Sequence, residues 1–425
     1  MMAAILGPIA LLLVAQPMDH AARRAAALAA LGARLVIVPS QASFKSDDQA
    51  GFQQASDFQY LTGLSDLVGA VLVLDGPGKA ATLFLPPPSP LITRPRPPGI
   101  GATPARPIDS LGVSLAGRFG SVSEILVAPV DLRGTGRAPP PMAGTVTRWA
   151  EYLRTLGWSG PVATAAPLLR SLREIKDPNE VTILARVGAV SGKAMLAGIR
   201  GLRPGRTQRM VELEVVGSCI EQGYRHSFWP WTMSGPRAVY TDLFNSFVDY
   251  QGHDRAMRAG ELVRVDVGCQ VDHYMGDVGR TAPVSGEFDA GQREAWDLFI
   301  AGYQAGLGAV RDGAAVTAIF ETARARIKAM AGGLQTPLGK RAAEVLLSPE
   351  GIEAWQFHGV GLDDAEGAPE MLRAGMVVAY ELMFAVDDQG FYLEDMLLVD
   401  RGGHRMLTAG LPYTAAEIEA VMARR

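Results

Sequence analysis

The sequence predicts an α/β protein with a smaller N-terminal domain and a larger C-terminal one. Three observations carry this. The chain has 425 residues, more than one typical domain. Short apolar runs closed by Gly and Pro turn signals alternate with Ala-rich helical stretches. In the second half, several apolar runs carry a single acidic residue, which ordinary strands avoid.

In chain order, Met18 to Leu31 is helical in pattern. Leu35-Val36-Ile37-Val38 reads as a buried strand of the parallel type, ending at Pro39-Ser40. Ser56 to Leu64 mixes strand and turn signals. Ala70 to Leu74 is a second strand, stopped by Asp75-Gly76-Pro77-Gly78, and Ala81 to Leu85 a third. The Pro-rich stretch from Pro86 to Pro107 reads as an extended surface loop. We place the domains at 18–165 and 166–425. Asp177-Pro178 is a helix-start signal, with Asp as the cap and Pro in the first turn. That helix runs to about Arg200, and a second, capped by Thr207, runs to about Gln222. Phe228 to Val284 looks β-rich. Two or three helices follow between Asp289 and Leu347, then strands and turns through Val399.

Composition narrows the function. The net charge is −4 with no basic stripe, which argues against a nucleic-acid partner. Two cysteines, Cys219 and Cys269, are too few for a Cys-rich zinc site and read as small buried residues. A single bridge between them fits an exported protein. Met2 to Ala15 is apolar like the core of a signal peptide, but it lacks a basic start. It reads otherwise as a strand or helix of the first domain, so cytoplasm is slightly favoured, with periplasm or secretion following if residues 1–16 are a signal peptide. It is too short for a stable membrane span, and later apolar runs are broken by charge.

The chemistry lies in the embedded acids. Asp266 closes the strand Leu262-Val263-Arg264-Val265, and Asp277 follows eleven positions later in Gly276-Asp277-Val278-Gly279-Arg280-Thr281. His358 sits beside Gly359 and Gly361. Glu381 ends Val377-Val378-Ala379-Tyr380, and Glu394 lies within Tyr392 to Val399. Alone, each reads as a turn acid or a satisfied core group. Together, four carboxylates and one imidazole suit a pair of divalent ions such as Mn, Co, Fe or Zn.

The order Asp, Asp, His, Glu, Glu, with the Gly-Asp-x-x-Arg-Thr motif and Glu394-Asp395, resembles the metallopeptidases of the aminopeptidase P, prolidase and methionine aminopeptidase family. Ile175 to Glu180 is similar to that family's entry helix. Ser56-Asp57-Phe58-Gln59-Tyr60-Leu61-Thr62-Gly63 is similar to the N-terminal domain of Xaa-Pro aminopeptidases and creatinase. The resemblance implies a C-terminal pita-bread domain with a curved antiparallel sheet. It implies two metals, Mn foremost, with Asp266 bidentate, Asp277 and Glu394 bridging, and His358 and Glu381 completing the sites. It further implies attack by a metal-bridging hydroxide, Glu381 as proton shuttle, peptide substrates with proline second, and a homodimer.

The sequence departs from the family at its non-ligand histidines. The position 17 residues before Asp266 is Asp249, ahead of Tyr250. Seven residues after His358 stands Ala365, and four before it Ala354. Leu382-Met383 replaces the usual Pro-Gly after Glu381. An ionised Asp249 beside the metals repels developing negative charge, and loss of a donor there costs about 10²–10³ in rate. His226, His253 and His273 lie in the same stretch as candidate replacements. Three readings follow: a working Xaa-Pro aminopeptidase, a metal-binding but inactive relative serving as a binding module, and a non-peptidase C–N hydrolase of the creatinase kind.

Overall fold

A computed structural model describes residues 17–41, 52–88, 97–101, 103–130, 141–348 and 352–424. The apolar stretch before residue 17 lies outside them. The first half forms a six-stranded sheet in the order Arg106–Pro107, Ala80–Leu85, Val71–Asp75, Arg34–Pro39, Glu124–Val127, Val162–Thr164. The central strand Arg34–Pro39 is parallel to Glu124–Val127, but antiparallel to Val71–Asp75. Its Leu35, Val36, Ile37 and Val38 are fully buried, because both sheet faces are covered.

Two local readings are corrected. Ser56–Thr62 is a short helix, ended by Gly63 in the left-handed region at φ 74°. A Cβ at Gly63 would also meet the His20 ring at 2.6 Å. The stretch read as a Pro-rich loop supplies the sheet edge, where Arg106–Pro107 pairs with Phe84 and Leu85. Proline is tolerated there because an edge strand leaves one side unpaired.

The second half is a seven-stranded antiparallel sheet. Its path runs Trp231–Ser234, Leu262–Val267, Val278–Pro283, Gln389–Asp400, Val377–Val386, Ile352–Gly359, and Gly403–Met406 pairs with Gln389–Asp400 off this path. Helices Pro178–Gly201, Ala290–Leu307, Val316–Ala331 and Pro337–Leu347 share one apolar core with it. Asp177 caps this helix as expected, and with Glu180 it forms a capping box. Thr207 makes no side-chain cap. Pro178–Gly201 is long and apolar enough to cross a membrane, yet it packs as a core helix against the sheet. Within the segment read as β-rich, Tyr240–Val248 is a helix.

Cys219 and Cys269 are buried, as read, and bonded to each other with Cα atoms 5.7 Å apart. The bridge ties helix Gln208–Glu221 to the segment joining the Asp266 and Asp277 strands. It closes a loop of 50 residues, for which chain entropy predicts about 4 kcal/mol of stability. The double variant Cys219→Ala/Cys269→Ala should lose about that much in a urea titration. An unchanged midpoint would show that the bridge does not form.

The two halves meet through a continuous apolar cluster that includes Phe58, Leu61, Leu169, Leu184, Val360 and Leu398. A buried ionic network accompanies it. Arg173 bonds Asp57 at 2.9 Å and Asp363 at 2.6 Å, and also bonds Glu366. Lys176 reaches Glu366 at 2.6 Å, and Ser56 Oγ donates to Asp363. The loop Val360–Gly367, which borders the site described next, is therefore fastened to the first half of the molecule.

Candidate metal centre

The site is built from one transverse row of the large sheet. Directly paired residues in antiparallel strands point to the same face. The register pairs Trp231 with Asp266, Asp266 with Gly279, Gly279 with Glu394, Glu394 with Glu381, and Glu381 with Gln356. Residues two positions along a strand share that face. This adds Tyr392, Met383 and His358, and Asp277 also lines the same pocket. The five residues singled out from the sequence thus converge from five chain segments.

Their atoms are close. His358 Nε2 lies 3.4 Å from Glu394, 3.7 Å from Glu381 and 3.8 Å from Asp277. Ligand atoms of Asp277, His358 and Glu394 all fall within 4.8 Å of one another. Burial raises the Asp266 carboxyl well above its ordinary range, and the charges of Glu394 and Glu381 raise it further. Asp277 is raised in the same way, by burial and then by Glu394 and Asp266. For His358, burial opposes the charged form, but the neighbouring Glu394 carboxylate wins and lifts it to about 9. Like charges packed this closely require a cation or protons. Asp266 Oδ1 is buried without any hydrogen-bond donor. Hard carboxylate oxygens, one imidazole and a bare buried oxygen fit a divalent metal.

The motif residues beside the ligands lock the row from behind. Strand alternation sends Asp395 to the opposite face from Glu394. There fully buried Arg280 bonds Asp395 at 2.8 Å and reaches the carbonyls of Gly279 and Glu394, each at 2.7 Å. Tyr303 and Tyr413 also donate to Asp395, at 2.9 and 2.7 Å. Leu382 and Met383 keep the strand running through Val386, with Leu382 in the core and Met383 on the pocket wall.

Spacing along the chain misplaced one departure. Asp249 does not line the pocket. It is an exposed residue at the end of helix Tyr240–Val248, accepting from the Gly252 amide at 2.8 Å. Tyr250 stacks under Arg209 instead. The residue opposite Asp266 is Trp231, and the helix supplies Tyr240, Leu243 and Phe244 to the pocket wall. Ala365 does line the pocket, next to Asp364. Ala354 is paired with Met383. His226, His253 and His273 do not line it, so His358 is its one imidazole among the described residues.

Sequence reasoning missed Gln356, Tyr392, Trp231 and Asp364. Gln356 Nε2 donates to Glu381, and the Tyr392 hydroxyl donates to Glu394 Oε2. A spacing of two on the His358 and Glu394 strands was the available signal for the first two.

Residues 182–401 match metallopeptidase family M24. The chain belongs to that family. Residues 20–93 match the aminopeptidase P N-terminal domain. The chain is 27% identical over 427 residues to the Xaa-Pro aminopeptidase of Escherichia coli K12, covering 92% of this chain and 93% of that one. It is similar in structure to aminopeptidase PepP of Pseudomonas aeruginosa, with a TM-score of 0.72, 24% identity, and 96% and 98% of the two chains covered. A zinc-substituted E. coli aminopeptidase P in complex with product gives 0.74, 21%, 96% and 98%. The fold of this M24 protein is accordingly the pita-bread fold behind an aminopeptidase P N-terminal domain. M24 membership carries with it a divalent-metal site.

Proposed function

We propose that this chain is a metallo-aminopeptidase that releases the first residue from peptides with proline second. Two divalent metals are held by Asp266, Asp277, His358, Glu381 and Glu394. The observation that carries the reading is their convergence on one pocket: Asp266, Glu394 and Glu381 share one sheet row, and Asp277 and His358 line the pocket beside it. M24 membership and the Xaa-Pro aminopeptidase relatives support it. Mn is the metal to test first, and Co, Zn and Fe suit the same donors.

When bound, such a metal pair lowers the pKa of water and polarises the scissile carbonyl. The chain's own groups do the rest. Glu381, held by Gln356, carries the proton from water to the leaving nitrogen. Phe228, Trp231, Tyr240, Leu243, Phe244 and Met383 offer an apolar wall to the proline ring and the first side chain. Among the described residues no lysine or arginine lines the pocket, and Asp364 adds a carboxylate. That balance favours a free N-terminal ammonium over an acidic substrate. The domain division at 18–165 and 166–425 and a homodimer belong to the same proposal. Light scattering of the purified chain tests the dimer.

A second reading has one observation behind it. Ala365, which lines the pocket where the family resemblance expects a histidine, cannot donate a hydrogen bond. On that reading the site binds metal and peptide without turnover. Initial rates on matched Xaa-Pro and Xaa-Ala peptides with Mn²⁺ separate the two. Faster release from the proline peptide is expected. Metal uptake with no release from either peptide would favour the inactive reading.

A further inference from the structure

The Tyr392 side chain has no assigned part in this centre, yet, like Gln356 on Glu381, it is a neutral donor bonded directly to one of its carboxylates. It stands two residues before Glu394 on one strand, so both side chains rise from the same face. Its ring is 1% exposed, and its hydroxyl donates to Glu394 Oε2. The other Glu394 oxygen, Oε1, is buried, has no hydrogen-bond partner and lies 3.4 Å from His358 Nε2. The ring occupies space that only glycine leaves: a Cβ at Gly279 would come within 2.0 Å of it. Gly279 sits between Asp266 and Glu394 in the sheet row. Glycine at this point and tyrosine across from it therefore make one fitted pair.

We infer that Tyr392 is the positioning residue of the metal centre, its hydroxyl fixing the Glu394 carboxylate so that Oε1 faces the ion beside His358. A phenol has one proton, so binding Oε2 through that proton orients the carboxylate and leaves its other lone pairs for metal. Donors of this kind around ligands typically contribute 10–100-fold in metal affinity or activity. The inference rests on the metal site proposed above.

The test is Tyr392→Phe, which keeps the ring and removes the hydroxyl. Mn²⁺ affinity of the metal-free protein is read by chelator competition, the visible spectrum after Co²⁺ loading reports ligand geometry, and a denaturant midpoint reports folding. The expected result is metal binding weaker by roughly 10–100-fold, a changed Co²⁺ spectrum, and an unchanged midpoint for the metal-free chain. Gly279→Ala, which displaces the ring without removing the hydroxyl, should weaken metal binding in the same direction. Unchanged affinity and spectrum in Tyr392→Phe would overturn the inference. A wild-type chain that takes up no metal would instead overturn the site reading itself, and this inference with it.

Discussion

Asp277→Ala is expected to reduce release of the first residue from an Xaa-Pro peptide by roughly 10³-fold or more, because groups that act as one unit fail together. The reason is geometric. Asp277 is the carboxylate whose ligand atom falls within 4.8 Å of both the His358 and the Glu394 ligand atoms. Without it, the remaining acids keep their mutual repulsion but lose one of the oxygens that would hold a cation. Metal content should drop along with activity, from about two ions to one or fewer per chain. Folding should survive, since removing one buried carboxylate from a like-charged cluster relieves repulsion. Element analysis beside initial rates reads both quantities. Full activity in this variant would remove Asp277 from the site.

The second large effect concerns stability. Burial works against an ionised Glu366, but the charges of Arg173 and Lys176 prevail and hold its carboxyl down at about 2, against an ordinary 4.5. A carboxyl lowered on folding stabilises the protein above its unfolded pKa. That contribution is lost as pH falls through the folded value. The window is therefore about pH 4.5 down to 2, and the shift corresponds to roughly 3 kcal/mol. Glu366→Gln should lower stability by about that amount at pH 7, where Arg173 and Lys176 lose a charged partner. Its stability should also change less than wild type between pH 4.5 and pH 3. Because Glu366 accepts from the Leu362 amide and lies in the chain between the pocket residues Ala365 and Gly367, activity should fall with it. Urea titrations at the three pH values check the sign. Equal pH slopes in the two proteins would refute the assignment.

Much of this molecule was legible in its sequence, for identifiable reasons. Continuous apolar runs such as Leu35 to Val38 announce strands covered on both faces, and Asp177-Pro178 announces a helix start. Acids inside apolar runs stand out because burial makes them costly, so Asp266, Asp277, Glu381 and Glu394 were visible as candidates before any geometry. What needed the structure was register. Trp231, Gly279 and Gln356 join the site only because strand pairing sets them in one row. Counting along the chain failed at Asp249, since a helix of aromatic and β-branched residues, Tyr240–Val248, intervenes where strand pattern was expected. Ser56–Thr62 failed for a related reason: in a segment this short, the capping glycine and tertiary packing outweigh local pattern. The cysteines illustrate the remaining limit. Two buried Cys 50 residues apart look alike whether bonded or free, until the fold brings their Cα atoms to 5.7 Å.

On the proposed function, this pocket holds two metals and cleaves an Xaa-Pro bond without the additional histidines. The most direct test is activity of the metal-free protein on an Xaa-Pro peptide as Mn²⁺ is added in measured equivalents. Release of the first residue should appear with metal and saturate at about two equivalents per chain. Two tightly bound equivalents with no release at any peptide concentration would contradict it.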